Sequence, residues 1–452
     1  MSKPPSVAEL LAERLASLHT RKLPPEVRDT CERLFIDVVG LCAVARRSDY
    51  VRAALSAWSS DRGTTTVIGH EAPLGAAAAA FVNGTAAHGE DFDDTFEGGP
   101  VHAGAVVVPA VLAAAEQEGL DGRSALLGIA AGAEAICRLG LVVPKAVHAA
   151  GFHPTAVFGA VAAAAGVGVA LRLDRDQLAD ALGIAGSMAS GIIEYLADGT
   201  WTKRMHPGWA AQSGLRAALL GRAGFRGPHT VFEGTHGLFQ AFAHNREGNF
   251  PALLDGFGER WLVSGIAFKP YPCGTMIQPY IDCALRVRAR GGEVAEVVAD
   301  VAHGTVHRLW EPLAQKQAPP NGYAAKFSAP YCIAAALIRG SLGFDAFADA
   351  AVADRAVRAL AAKVRYEIDP RNPYPFEFTG RLRVRLADGR AVEERQDHLR
   401  GGAREPIGRS ELEAKLRDNA RSGGWSDDRI AAALALARRL WDGPVDLTPL
   451  RG

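Results

Sequence analysis

From Val7 to about Phe242, apolar residues recur at intervals of three and four. The stretches "PEVRDTCERLFIDVVGLCAVA", "RSALLGIAAGAEAICRLGLVV" and "RDQLADALGIAGSMASGIIEYL" all show this spacing, with turn residues between them. The spacing predicts helices. Many of them are apolar on nearly every side and rich in Ala and Gly, the pattern of helices buried in a large bundle. After about Gly265 the texture changes. "EVAEVVADVAHGTVH" and "RLRVRLADGRAVEERQ" read as strands; in the second, Leu382, Val384 and Leu386 alternate with Arg381, Arg383 and Arg385, and "ADG" forms a hairpin turn. "APYCIAAALIRG" and "DRAVRALAAKV" read as helices between them, which makes this part a smaller α+β domain. From "SELEAKLRDNA" to "DRIAAALALARRLWDG" helices return. The pattern alone leaves open whether these last helices join the first domain or cover the second.

Length, charge and cysteines narrow the class. A chain of 452 residues is too long for one ordinary core. Lys plus Arg is 50 and Asp plus Glu is 50, so the chain lacks the basic excess of a nucleic-acid binder, and no nucleic-acid partner is expected. The start, "MSKPPSVAELLAERLASLHTRKLPPEV", has no apolar core of signal-peptide length. "AVHAAGFHPTAVFGAVAAAAGVGVAL" is long enough to cross a bilayer. Its Ala, Gly and Val, interrupted by two histidines and a proline, suit a buried helix better, and no membrane partner is expected. None of the six cysteines forms a CxxC pair or a zinc or iron–sulfur spacing. Reduced thiols in a cytoplasmic protein are the expectation.

Four polar clusters interrupt the apolar pattern. "HGEDFDDTFEGGPVHAG" (88–104) packs five acids and two histidines into seventeen residues. Extending the preceding helix through Asp94 puts His88, Asp91 and Thr95 on one face and turns Asp93 and Asp94 elsewhere. Three readings stand open: a metal site, since "DDTFE" has the DDxx(D/E) shape with which terpene synthases hold magnesium; a carboxylate–imidazole pair for proton transfer; and a solvated turn. No second acidic motif supports the first. "AGFHPTAVFGA" sets His153 in an apolar segment. "DGTWTKRMHPGWAAQSG" sets Lys203, Arg204 and His206 just before an Ala-rich helix, where cations oppose the helix dipole. "AFKPYPCGTMIQPYID" sets Lys269 in a proline-rigid turn between the two textures. Taken singly, His153 reads as a core histidine, and the lysines as a helix start and a linker. Together the four clusters point to one cleft of cations, histidines and an acid, suited to a small di- or tricarboxylate.

These same stretches resemble the MmgE/PrpD family, which includes 2-methylcitrate dehydratase, cis-aconitate decarboxylase and iminodisuccinate epimerase. The motifs are "NGTAAHGEDFDDT" with "VHAG", then "GFHPTA", "DGTWTKRMHPGWAAQSG", "GFRGPHTVFEG", "KPYPCG" and "AKFSAPYCIAAALI", in family order from Leu23 to about Lys415. The resemblance implies a mainly α fold: a large all-α domain over 1–265, completed by helices in 400–452, with a smaller α+β domain inserted at 266–399. It implies a homodimer and chemistry without metal or organic cofactor. It places catalytic roles on Asp91, His102 and His153, and substrate binding on Thr95, Lys203 and Lys269. The expected activity is a hydro-lyase acting on a hydroxy di- or tricarboxylate such as 2-methylcitrate. Asp91 or His153 would be the base and His102 the acid; epimerase and decarboxylase are the alternatives. One departure bears on the choice. The decarboxylase has a histidine five residues after the lysine aligned with Lys269. Here that position is Gly274, and Gln278 is the nearest polar candidate.

Overall fold

The computed structural model describes residues 4–374 and 376–452, and its elements are mainly helices. The chain divides into two compact units, Met1–Ile266 with Gly408–Gly452, and Ala267–Ile407.

The first unit is helical. Its long helices are Pro25–Ala45, Ala76–His88, Gly104–Glu118, Gly122–Val142, Pro154–Ala170, Arg175–Met188 and Thr202–Arg222. The returning helices Arg409–Ser422 and Asp427–Arg439 belong to this unit. Every residue of Pro154–Ala170 is buried. Its Ala and Gly content is the reason such burial works: without large side chains, neighbouring backbones meet directly. A Cβ on Gly84 would lie 2.7 Å from Gly208 Cα, and one on Gly208 would lie 2.1 Å from Phe81 O. The 76–88 and 202–222 helices therefore cross in contact. That crossing brings the end of one, His88, beside the first turns of the other. Helix Gly122–Val142 is long and apolar enough to cross a bilayer, and 89% of its apolar window is buried within the protein.

Three local expectations fail. The 76–88 helix stops at His88 rather than running through Asp94. Gly89 sits against the Tyr50 ring, where a Cβ would come within 2.3 Å, and Asp91 adopts a left-handed φ of 58°. Asp is among the few non-glycine residues that tolerate that conformation, so the acidic run turns instead of continuing the helix. Lys203, Arg204 and His206 lie inside the 202–222 helix, not before it. "EVAEVVADVAHGTVH" is a strand only over Val294–Val301, and His303–Leu309 is helical.

The second unit holds a four-stranded sheet in the order Val364–Ile368, Val294–Val301, Gly380–Leu386, Ala391–Gln396. The first pair is parallel and the others antiparallel, with Arg385 opposite Ala391 at the hairpin. Leu382, Val384 and Leu386 are buried beneath the helices Gln278–Ala289 and Ala329–Arg339, in one apolar core. Lys269 is in this unit and 2% exposed. Its segment is pinned from several sides: the Gln278 amide donates to the carbonyls of Tyr271 (3.2 Å) and Cys273 (3.3 Å), and Gly274 N–H donates to Lys326 O at 2.9 Å.

Candidate active site

The turn after His88 folds the acidic run back onto the start of the 104–118 helix. Both Asp94 oxygens accept backbone N–H groups there, from Ala103 at 2.9 Å and Gly104 at 2.8 Å. These bonds fix His102, which lies one residue earlier. Its Nδ1–H donates to the Asp94 carbonyl at 2.6 Å, and its own N–H donates to Thr155 Oγ1 at 3.2 Å. A carbonyl only accepts, so proton chemistry at His102 must run through Nε2. His88 Nδ1–H donates to Asp93 Oδ2 at 2.7 Å, and that oxygen lies 3.5 Å from His102 Nδ1. Asp93 thus orients His88 by a hydrogen bond and sets its charge beside His102, whose orientation comes from the Asp94 carbonyl. His88 Nε2 is buried and has no hydrogen-bond partner among the described residues.

Two more elements close the cluster. His153 caps the 154–170 helix, with its N–H on Gly191 O at 2.8 Å. Its Nδ1 lies 3.2 Å from His206 Nδ1. Ring centroids are 4.9 Å apart for His88 and His102, 5.6 Å for His88 and His153, and 5.4 Å for His153 and His206. Tyr195 stands 5.8 Å from the His206 ring. Lys203 Nζ donates to Asp91 Oδ1 at 3.0 Å, so an acid from the turn faces the first turn of a helix that carries its own cation. From the far end of the chain, Lys415 Nζ donates to Phe92 O at 2.7 Å and lies 2.8 Å from Asp37 Oδ1. The 409–422 helix thereby holds the turn between Asp91 and Asp93.

Burial dominates the electrostatics. It holds the His153 imidazole well below the ordinary histidine range, helped by His88, His206, Lys203 and His102. Burial likewise pushes His206 down to about 4, with His88 and Lys203 adding to it. Both rings are therefore neutral at pH 7 and able to accept a proton. Asp94 is pushed up to about 8 by burial and by the nearby Asp93 and Asp37, against the pull of its two backbone bonds.

These shifts predict opposite effects of pH on stability. His206 binds its proton near pH 6.5 when unfolded but only near 4 when folded. Its contribution is complete above about 6.5 and is lost as pH falls toward 4. Asp94 holds its proton up to about 8 when folded and loses it near 3.8 when unfolded, so its contribution declines as pH rises between those values. Thermal unfolding of wild type and His206→Gln from pH 7.5 to 4.5 should show a shallower acid decline in the variant. Parallel curves would mean that His206 is not held neutral.

The nearest approach to a cation site among the described residues is His88, Asp93 and His102, whose ligand atoms lie within 4.8 Å of one another. Two of those nitrogens are already donors, His88 Nδ1 to Asp93 and His102 Nδ1 to the Asp94 carbonyl. This arrangement is that of a hydrogen-bonded imidazole pair.

Of the residues singled out in the sequence, Asp91, His102, His153 and Lys203 come together in the first unit. Thr95 is buried at the end of the same turn and begins the short strand Thr95–Phe96. Lys269 lies in the second unit. The expected His88–Asp91 pairing is replaced by His88–Asp93 and Asp91–Lys203, because the helix ends at His88. Asp93 as the orienting acid and Asp94 as the pin of the His102 turn were not expected. His206 carried a readable signal: it follows Lys203 by three residues, which puts both on one helical face.

The MmgE/PrpD N-terminal domain matches residues 9–251 and the MmgE/PrpD C-terminal domain matches residues 271–438. The chain belongs to the MmgE/PrpD family. Relatives of this MmgE/PrpD chain include cis-aconitate decarboxylases from Aspergillus terreus (strain NIH 2624 / FGSC A1156), 27% identical over 96% of this chain and 93% of that protein, from Mus musculus (28%; 97% and 91%) and from Homo sapiens (29%; 97% and 92%). The relatives are enzymes, and the likeness runs through both units.

Proposed function

We propose that this MmgE/PrpD chain is a lyase acting on a small di- or tricarboxylate, with a hydro-lyase as the leading reading. The observation that carries it is the buried cluster of four imidazoles beside the Lys203–Asp91 pair, two of those imidazoles kept neutral. In the proposed step a neutral imidazole, His153, takes the proton α to a carboxylate. The C–H electron pair passes into that carboxylate as an enediolate. Its collapse to the alkene expels the β-hydroxyl, which leaves as water with the Nε2 proton of a His102 imidazolium, whose Nδ1–H stays on the Asp94 carbonyl. Lys203 keeps one N–H on Asp91 and offers its others to a substrate carboxylate. Asp93 orients His88, and the Asp94 carbonyl orients His102, for proton transfer. No step in this scheme calls on a metal or organic cofactor.

Decarboxylation is the second reading, favoured by the relatives named cis-aconitate decarboxylase. There a carboxylate leaves as CO₂, its bonding electrons enter the conjugated alkene, and an imidazolium delivers a proton to carbon. Gly274 weighs against this reading: it stands where the decarboxylase has a histidine, and the three atoms nearest a Cβ there are carbons of Phe327, Ile277 and Leu309 at 3.6–3.7 Å. Incubation of the pure chain with 2-methylcitrate, citrate, citramalate and cis-aconitate separates the readings. A hydroxy acid converted to an alkene supports the first, and CO₂ from cis-aconitate supports the second.

Lys269 is proposed as a second carboxylate anchor. Lys269→Met should raise KM about 10- to 100-fold, the loss of one charge-assisted hydrogen bond, with a smaller change in kcat. An unchanged KM would remove Lys269 from the binding shell.

The proposed assembly is a homodimer. Trp201, Met205 and Trp209, at four-residue intervals along one helical face, are 47%, 36% and 39% exposed, and Ile192 and Leu196 just before them are more exposed still. Light scattering should give a dimer for wild type and a shift toward monomer for Trp209→Glu. A monomeric wild type at micromolar concentration would contradict this. Cytoplasmic placement belongs to the same proposal, on the strength of six buried free thiols.

A further inference from the structure

Away from the histidine cluster, the first unit gathers positive charge around one short piece of backbone. Arg46 Nε donates to Gly69 O at 3.0 Å, and its Nη1 donates to Gly423 O at 3.2 Å. Arg429 Nη2 donates to Leu450 O at 2.9 Å, the same carbonyl that accepts Gly69 N–H at 2.8 Å. Both guanidinium groups are thus tied to the Gly69 turn, and His70 is the next residue. Arg47 packs over Gly424, where a Cβ would lie 2.8 Å from its Nη1. Arg46, His70 and Arg429 are half-buried. The charges acting on them are each other's and that of Arg47, and no carboxylate pairs with any of the three among the described residues.

Unmet donors sit in the same place. The Arg429 guanidinium lies 4.2 Å over the Trp425 ring. Arg429 Nε and Trp425 Nε1 are both buried without a hydrogen-bond partner among the described residues, and Trp425 is only 5% exposed. Burial lowers the pKa of both arginines, with Arg47 adding to it at Arg46 and Arg46 at Arg429, and burial with Arg46 and Arg429 brings His70 down to about 4. Clustered like charges and donors without acceptors are each unfavourable, and one oxyanion relieves both. Two guanidinium groups, an imidazole and an indole N–H are gathered from three segments of the first unit, and guanidinium donors match phosphate oxygens.

We infer that Arg46, His70, Arg429 and Trp425 form a binding site for a phosphate-class oxyanion, either free phosphate or the phosphoryl group of a small metabolite. The site uses no residue of the histidine cluster and does not depend on the reaction proposed there.

The test is calorimetric titration of the full chain in phosphate-free buffer with inorganic phosphate and, separately, with AMP. The His70 imidazole is followed by NMR in the same samples. Saturating phosphate or AMP should raise the His70 pKa by at least about one unit, because the bound anion favours the imidazolium. Arg429→Gln loses the charge but keeps an amide donor for Leu450 O, and should weaken binding about tenfold or more. His70→Asn provides a second variant should the first unfold. Neither residue belongs to the proposed catalytic machinery, so turnover without phosphate should be unchanged in both. Equal affinity for the two ligands would assign free phosphate, and tighter AMP binding would assign a phosphorylated metabolite. No heat and an unmoved His70 at about 10 mM of either ligand would overturn the site. So would equal affinity in wild type and both variants.

Discussion

Replacing His153 by alanine is expected to lower kcat by about two to four orders of magnitude, the usual worth of a positioned general base. The expectation rests on three features of the ring. Burial holds it neutral at working pH, it faces His206 at 3.2 Å, and its backbone is fixed as the cap of a fully buried helix. A neutral base with a depressed pKa also predicts that kcat/KM stays flat as pH falls from 8 to about 6.5, failing only below that. His153→Ala should keep the wild-type circular dichroism, since the side chain makes no cap bond and the backbone N–H is held by Gly191 O. Near-wild-type turnover in a folded variant would remove His153 from the chemistry.

Asp91→Asn is the second large expectation. Asp91 sits at φ 58°, and asparagine tolerates that region as well as aspartate, so the turn should survive. What is lost is the negative charge 3.0 Å from Lys203, in a place where Asp91 is 4% exposed. A half-buried ammonium deprived of this carboxylate loses both charge stabilisation and aim. Turnover should fall at least about 100-fold with the fold intact, on the scale of a misplaced catalytic group. Comparing the two variants separates the roles. If Asp91→Asn abolishes activity while His153→Ala retains most of it, Asp91 is the base and His153 only packs beside it. Near-full activity in Asp91→Asn would remove Asp91 from the mechanism.

Much of the architecture was readable from the residues because it depends on local periodicity. The Ala- and Gly-rich helices, the Arg381–Leu386 alternation and the return of helices after Gly408 all follow from which positions are apolar. The site was readable as a set of residues but not as a set of pairs. Helical continuation through Asp94 fails at Gly89 and Asp91, where a contact with Tyr50 and a left-handed turn override it. Once the chain turns, Asp93 and Asp94 change places with Asp91: they reach His88 and the His102 turn, while Asp91 reaches Lys203. The Lys415–Phe92 bond joins residues 323 apart, a separation that no period encodes.

Proton NMR in D₂O, with the enzyme and each candidate acid, tests the central claim most directly: that the histidine cluster moves protons at carbon next to a carboxylate. The account predicts loss of a hydroxy acid with growth of an alkene signal, deuterium entering the α position of the remaining substrate, and neither change with His153→Ala. Deuterium uptake without an alkene would keep the base and replace the lyase with an epimerase. Itaconate-type product carrying one deuterium, with CO₂ released from cis-aconitate, would keep the site and replace dehydration with decarboxylation. Conversion or exchange that persists undiminished in His153→Ala would contradict the account.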